Sequence, residues 1–130
     1  MTNTSEPVPL PNQLGLALDA AFTQAISFAE LQQWAEMHVA ELATPPDYLL
    51  ELLSFDGTLA ALASMLGDIA ESDLSATEQQ ALAGIADLRG IARFEPSPSP
   101  AKAAKALQQS PQLLQRFCQQ FPFIALAPQQ

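Results

Sequence analysis

The side chains that most often do chemistry are scarce in this sequence: one histidine, His38, and one cysteine, Cys118, set among fourteen carboxylates. Zinc sites draw on His and Cys, so with one of each any tetrahedral set of side chains here would need at least two carboxylates. Nucleophilic catalysis of the Ser–His or Cys–His kind would have to use His38 as its base. His38, however, falls in register with Leu31, Trp34, Ala35 and Leu42 on one apolar stripe. That placement predicts a partly buried structural imidazole, with Trp34 packed in the core beside it. Asp68, Glu71, Asp73 and Glu78 form an acidic stretch, but its spacing fails the calcium-loop pattern and lacks that loop's glycine. Carboxylate pairs can serve acid–base catalysis, yet fourteen acids in 130 residues guarantee chance proximity. Five glycines supply no phosphate-cradling loop. The expectation is a protein without enzymatic activity, metal or cofactor, with Cys118 packed beside Phe117 or Phe121 as a small apolar group.

The elements that would position these residues read as helices. Ala, Leu and Gln dominate, the β-branched share is low, and nothing reads as a strand. The eleven prolines fall between apolar periodic stretches, as punctuation. Residues 1–11 read as a Pro-rich disordered arm. A first helix begins near Asn12 with Leu14, Leu18, Ala21 and Phe22 inward. Ser27-Phe28-Ala29-Glu30 is a capping box that opens a second helix over about 28–42. Thr44-Pro45-Pro46-Asp47 reads as a cap, a first-turn proline and a first-turn acid, starting a third helix with Tyr48, Leu49, Leu52 and Leu53 inward.

Leu59, Leu62, Leu66 and Ile69 mark a fourth helix. Ser75-Ala76-Thr77-Glu78 is a second capping box, opening a fifth that buries Leu82, Ile85 and Leu88 and continues towards Arg93. Asp73-Leu74-Ser75 resembles the attachment tripeptide of acyl carrier proteins without its usual preceding Gly-x, and Ser75 is better explained as a cap. Residues 94–100 form a Ser/Pro linker. Two further helices start at Ser99-Pro100 and Ser110-Pro111, the second with Leu113, Leu114, Phe117 and Phe121 inward. Pro122 ends it, and Phe123-Ile124-Ala125-Leu126 can dock on the body. The predicted architecture is an all-α compact bundle of five to seven short helices. Residues 12–93 would be its acidic core, with a basic, Gln-rich segment, 101–130, packed on it.

Charge is distributed unevenly. Residues 1–88 hold thirteen acids and no Lys or Arg; residues 89–130 hold five basic residues against Glu95, so the two segments carry −13 and +4. Helix C-termini carry partial negative charge and prefer cations. Here Glu41 closes the second helix, Glu51 lies late in the third, and Asp68 and Glu71 end the fourth, none with a basic residue in helical reach. Local rules broken without local compensation often mark function. The placement fits a surface for a basic protein formed by Glu36, Glu41, Asp47, Glu51, Asp68, Glu71 and Asp73, with Tyr48 as an anchor. It also fits an acidic solubility coat. Five cations cannot offset this field, which argues against nucleic acid as a partner.

The stretch Ile26-Ser27-Phe28-Ala29-Glu30-Leu31-Gln32-Gln33-Trp34-Ala35, followed by Pro45-Pro46-Asp47-Tyr48-Leu49-Leu50-Glu51-Leu52, resembles small helical bacterial proteins of the immunity type. It covers about 27 of the 130 residues. The resemblance implies neutralisation of an interbacterial toxin, with the acidic face covering the toxin's basic surface. A cytosolic chaperone or adaptor for a secreted protein is the alternative, and it would expose an apolar groove or dimer face. A structural or regulatory helical subunit is a third reading. No apolar run approaches the roughly 18 residues of a membrane span. The N-terminus lacks the basic region and apolar stretch of a secretory signal, and a lone cysteine suits a reducing compartment. The expected location is the cytoplasm, with no membrane partner and an undetermined oligomeric state.

Overall fold

A computed structural model describes residues 9–93 and 98–124 of the chain. Those residues form seven helices and no strand. They are α1 (Leu10–Phe22), α2 (Phe28–Glu41), α3 (Asp47–Ser54), α4 (Leu59–Leu66), α5 (Ala76–Leu88), α6 (Pro100–Gln108) and α7 (Pro111–Gln120). The all-α bundle read from the sequence is the fold observed.

Both capping boxes form. Ser27 Oγ accepts from the Glu30 amide at 3.1 Å while Glu30 Oε1 accepts from the Ser27 amide at 2.8 Å. Ser75 and Glu78 repeat the pattern at 3.1 and 2.9 Å, so Ser75 is the cap of α5. Each box satisfies two amide donors that a helix start otherwise leaves open. Ser99 Oγ accepts from the Lys102 amide at 3.2 Å, and Pro100 and Pro111 open α6 and α7 as expected. Ser110 is buried and makes no side-chain cap.

Several boundaries differ from the sequence reading. The first helix starts at Leu10, with Pro11 in its first turn where a proline's missing amide costs nothing. Of the proposed arm, residues 1–8 lie outside the described residues. The cap of α3 is Pro46, not Thr44. Pro46 holds Pro45 out of the helical region, which keeps the helix from starting directly after Thr44. α4 stops at Leu66, and the chain then crosses the start of α1, where the Glu71 amide donates to the Pro11 carbonyl at 3.0 Å. Asp68 and Glu71 therefore follow α4 rather than end it. α5 stops at Leu88 because Gly90 takes φ +74°. The amides of Gly90 and Ile91 bond back to Asp87 and Ala86 in the paired pattern of a left-handed helix end. Residues 94–97 of the linker lie outside the described residues, while Pro100 already belongs to α6.

The core is built around α1, which buries Leu14 through Leu18, Ala20 and Ala21 and so is enclosed on most of its circumference. Phe22 was expected inward; it is the last residue of α1, and the chain turns away there through Gln24 at φ +67°, leaving it 52% exposed. Trp34, Leu31, Leu49, Leu52, Leu62, Leu66, Phe117 and Phe121 close the rest of the core, and Tyr48 and Phe123 pack partly against it. Ile124 is buried; Ala125 and Leu126 lie outside the described residues. α5 and α6 form the most extensive helix pair, brought together by small residues. A Cβ on Gly84 would stand 2.7 Å from the Ala103 carbonyl oxygen. Gly15 permits an even closer approach, since a Cβ there would overlap the Glu71 carbonyl.

Candidate functional site

The acids proposed from the sequence fall into two groups. Glu36, Glu41, Asp47 and Glu51 lie on the α2–α3 hairpin, and all four are exposed. Gln32 Nε2 donates to the carbonyls of Leu52 and Phe55, each at 3.2 Å, and Phe28 stacks on Phe55. The first half of α2 therefore lies beside the last turn of α3. Their opposite ends, carrying Glu41 and Asp47, meet across the short connection 42–46. Asp68, Glu71 and Asp73 lie together on the α4–α5 connection, also exposed.

No ion pair reaches Glu36, Glu41, Asp47, Glu51, Asp68 or Glu71 among the described residues. Asp73 differs: Arg116 Nη1 contacts its Oδ1 at 2.9 Å, while Arg116 Nη2 donates to the Asn12 carbonyl at 3.2 Å. Asp73 thus helps join α7 to the start of α1, and a partner would compete with Arg116 for it. Nor do all the remaining acids sit at helix ends. Glu41 and Glu51 occupy last-turn positions, where the helix dipole disfavours them, whereas Asp68 and Glu71 do not.

Two chain-internal contacts of arginine had no local signal in the sequence. Arg89 makes a two-pronged pair with Glu30, at 2.8 and 2.6 Å, and donates to the Ala25 carbonyl at 2.7 Å. Arg89 holds the Glu30 carboxyl below its ordinary range, and the same carboxylate completes the α2 capping box. Arg93 makes a second two-pronged pair with Asp87, at 2.9 and 3.2 Å. Lys102 and Lys105 make no ion pair among the described residues. Asp19 is another group the sequence reading missed: half-buried, it accepts from Ser72 Oγ at 2.5 Å. Burial raises its pKa, and the Ser72 bond opposes that rise.

Tyr48 is half-buried against the core, and burial pushes its hydroxyl pKa upward. His38 packs edge-on to the fully buried Trp34, with ring centroids 4.9 Å apart. Burial lowers the His38 pKa from its ordinary value, with Glu41 opposing. His38 is the only basic-type side chain on the hairpin. Cys118 is exposed, contrary to expectation. Leu113, Phe117 and Phe121 take the inward stripe of α7, and one step of about 100° turns the next residue outward.

Among the described residues no three His, Cys, Asp or Glu side chains are grouped to hold a metal ion. None of the helices in that part is long and apolar enough to cross a membrane. Grooves of about 570 and 420 Å³ lie around the α5–α6–α7 helices, lined by residues such as Glu78, Gln109, Leu107 and Leu114. None of the eight candidate residues lines either groove. No family model matches the chain, and neither the curated proteins nor the solved structures include a match to it.

Proposed function

We propose that this protein is a non-enzymatic binding module for a basic protein, which it meets through the exposed acids of the α2–α3 hairpin and, secondarily, the α4–α5 connection. The reading is carried by one observation. Glu36, Glu41, Asp47 and Glu51 are exposed and make no ion pair among the described residues, although every arginine of the chain is engaged with an acid elsewhere. A folded domain gains nothing from such an arrangement, because interspersed signs give the same solubility with less self-repulsion. Uncompensated acids on one face steer a basic partner and raise its association rate in a salt-sensitive way.

An immunity-type role follows from the resemblance of residues 26–52 to small helical bacterial immunity proteins. The partner is then a toxin whose basic active surface the hairpin covers. Affinity capture at low and high salt, followed by binding measurements with Glu41→Lys/Glu51→Lys, tests this reading. A basic protein should be captured at low salt and lost at high salt, and the variant should lose it at both. An unchanged affinity and salt dependence in the variant would remove the hairpin from the interface. The exposure of Phe22, Leu42, Leu50 and Met65 favours a second reading, a chaperone or adaptor for a secreted protein. Dimerisation and salt-insensitive binding would mark that alternative.

A further inference from the structure

The acidic end of the α2–α3 hairpin also displays apolar side chains that the fold leaves unused. α3 buries Leu49 and Leu52 and half-buries Tyr48 and Leu53, so Asp47, Leu50, Glu51 and Ser54 form its solvent face. Leu50 is 45% exposed, between two acids of that face. Leu42, 39% exposed, follows Glu41 directly at the end of α2. Because the hairpin is antiparallel, Leu42 and the first turns of α3 lie at the same end of it. Folding does not require leucine at either place. Gln or Lys has nearly the same helix propensity as Leu at position 50 and would be better hydrated.

Charge and apolar exposure do different work in an interface. Rim charges set association rate and salt dependence, whereas a few desolvated apolar anchors supply most of the affinity. The hairpin acids supply the first, but they have no complement of their own, since residues 1–88 contain no Lys or Arg. A second copy of the chain is a poor occupant, because it brings another −9 and the same acids to the contact. Tyr48, the anchor expected from the sequence, is half-buried against the core. We infer that Leu42 and Leu50 are the apolar anchors of this surface. Its occupant is a cationic amphipathic segment whose apolar side chains are flanked by Lys or Arg. This inference rests on the hairpin being the binding surface proposed above.

Two synthetic helical peptides of equal length and charge, one Lys/Leu amphipathic and one with each Leu replaced by Ala, serve as probes for the full chain. The native chain should bind the Lys/Leu peptide about tenfold more tightly or better. Leu42→Gln/Leu50→Gln should abolish that preference while keeping the salt dependence. Glu41→Gln/Glu51→Gln should weaken both peptides and flatten the salt dependence. Equal binding of the two peptides by the native chain overturns the anchor, as does a preference that survives Leu42→Gln/Leu50→Gln. If only the carboxylate variant is silent, the acidic surface fails instead, so the two failures are distinguishable. Sedimentation of the native chain closes the remaining route: self-association abolished by Leu42→Gln/Leu50→Gln would make a second copy the occupant and overturn the inference. Circular dichroism verifies that each variant keeps its helices.

Discussion

Around α5, α6 and α7 each arginine is held by a carboxylate, whereas along α2 and α3 four exposed carboxylates make no ion pair among the described residues. Arg89 ties the end of α5 to the start of α2, and Arg116 ties α7 to the start of α1 and to the α4–α5 connection. Arg93 closes the exit of α5 by bonding Asp87 and the Pro98 carbonyl. In that part of the molecule a charge is a joint between distant pieces of chain. On the outer part of the hairpin, Glu36, Glu41, Asp47 and Glu51 make no such joint among the described residues. Substitutions should therefore separate the two regions: stability should respond in the first, and binding without stability in the second.

The largest effect belongs to the close backbone contact beside the clamped connection. Gly15→Ala places a methyl against the Glu71 carbonyl and the Ser72 amide. Neither backbone can retreat easily while the Glu71 amide is bonded to Pro11 and Ser72 to Asp19. Overpacking of this kind should cost about 3 kcal/mol, read as a lower urea midpoint. An unchanged midpoint would mean that the connection moves freely, and the clamp as described would be wrong.

Next comes the Arg89–Glu30 pair, whose side chains are 18% and 22% exposed. Arg89→Met removes three charge-assisted contacts and leaves the Glu30 carboxylate and the Ala25 carbonyl short of a donor. A loss of about 2 kcal/mol is expected at pH 7. The effect should depend on pH with a definite sign. Glu30 titrates below its ordinary 4.5 in the folded chain, mainly because Arg89 donates to it. Its stabilising contribution is thus present above that value and is lost as pH falls through the lowered folded value. Native and variant midpoints should converge in acid. Asp19, raised by burial, changes stability in the opposite direction in the same range, but it does so in both proteins and cancels in the difference. Parallel pH curves for the two would show that Arg89 acts through packing alone.

What could be read beforehand divides along the same line. The capping boxes at Ser27 and Ser75 were legible because signal and structure both lie within four residues. The inward leucines of α3 and α7 were legible because helical periodicity is local. The pairing of Arg89 with Glu30 joins positions 59 apart, and that of Arg116 with Asp73 positions 43 apart. No spacing rule reaches so far. In the sequence Asp73 and Glu51 are equivalent acids; only folding assigns one to a clamp and leaves the other in solvent. Leu49 and Leu50, by contrast, were told apart beforehand, because their fates separate by a single helical step and that step is local.

The smallest effect is the one that sharpens the comparison most. Glu41 and Glu51 sit in last helical turns, where a cation is preferred, and neither touches another charged group among the described residues. Glu41→Lys/Glu51→Lys should therefore leave stability within about 0.5 kcal/mol of native, with the change favourable in sign. Self-repulsion points the same way, because the double reversal takes the net charge from −9 to −5. Both contributions are electrostatic and solvent-exposed, so the gain should shrink as salt is raised past the screening length. Asp73→Asn is the matched control from the clamped region, an exposed acid of the same chain that loses its ion pair with Arg116 and should destabilise. If the hairpin reversal destabilised as Asp73→Asn does, those acids would be holding the fold together, and the proposed binding surface would lose its premise. If the reversal stabilises, the native chain forgoes stability at two positions, as the proposed recognition of a basic partner requires.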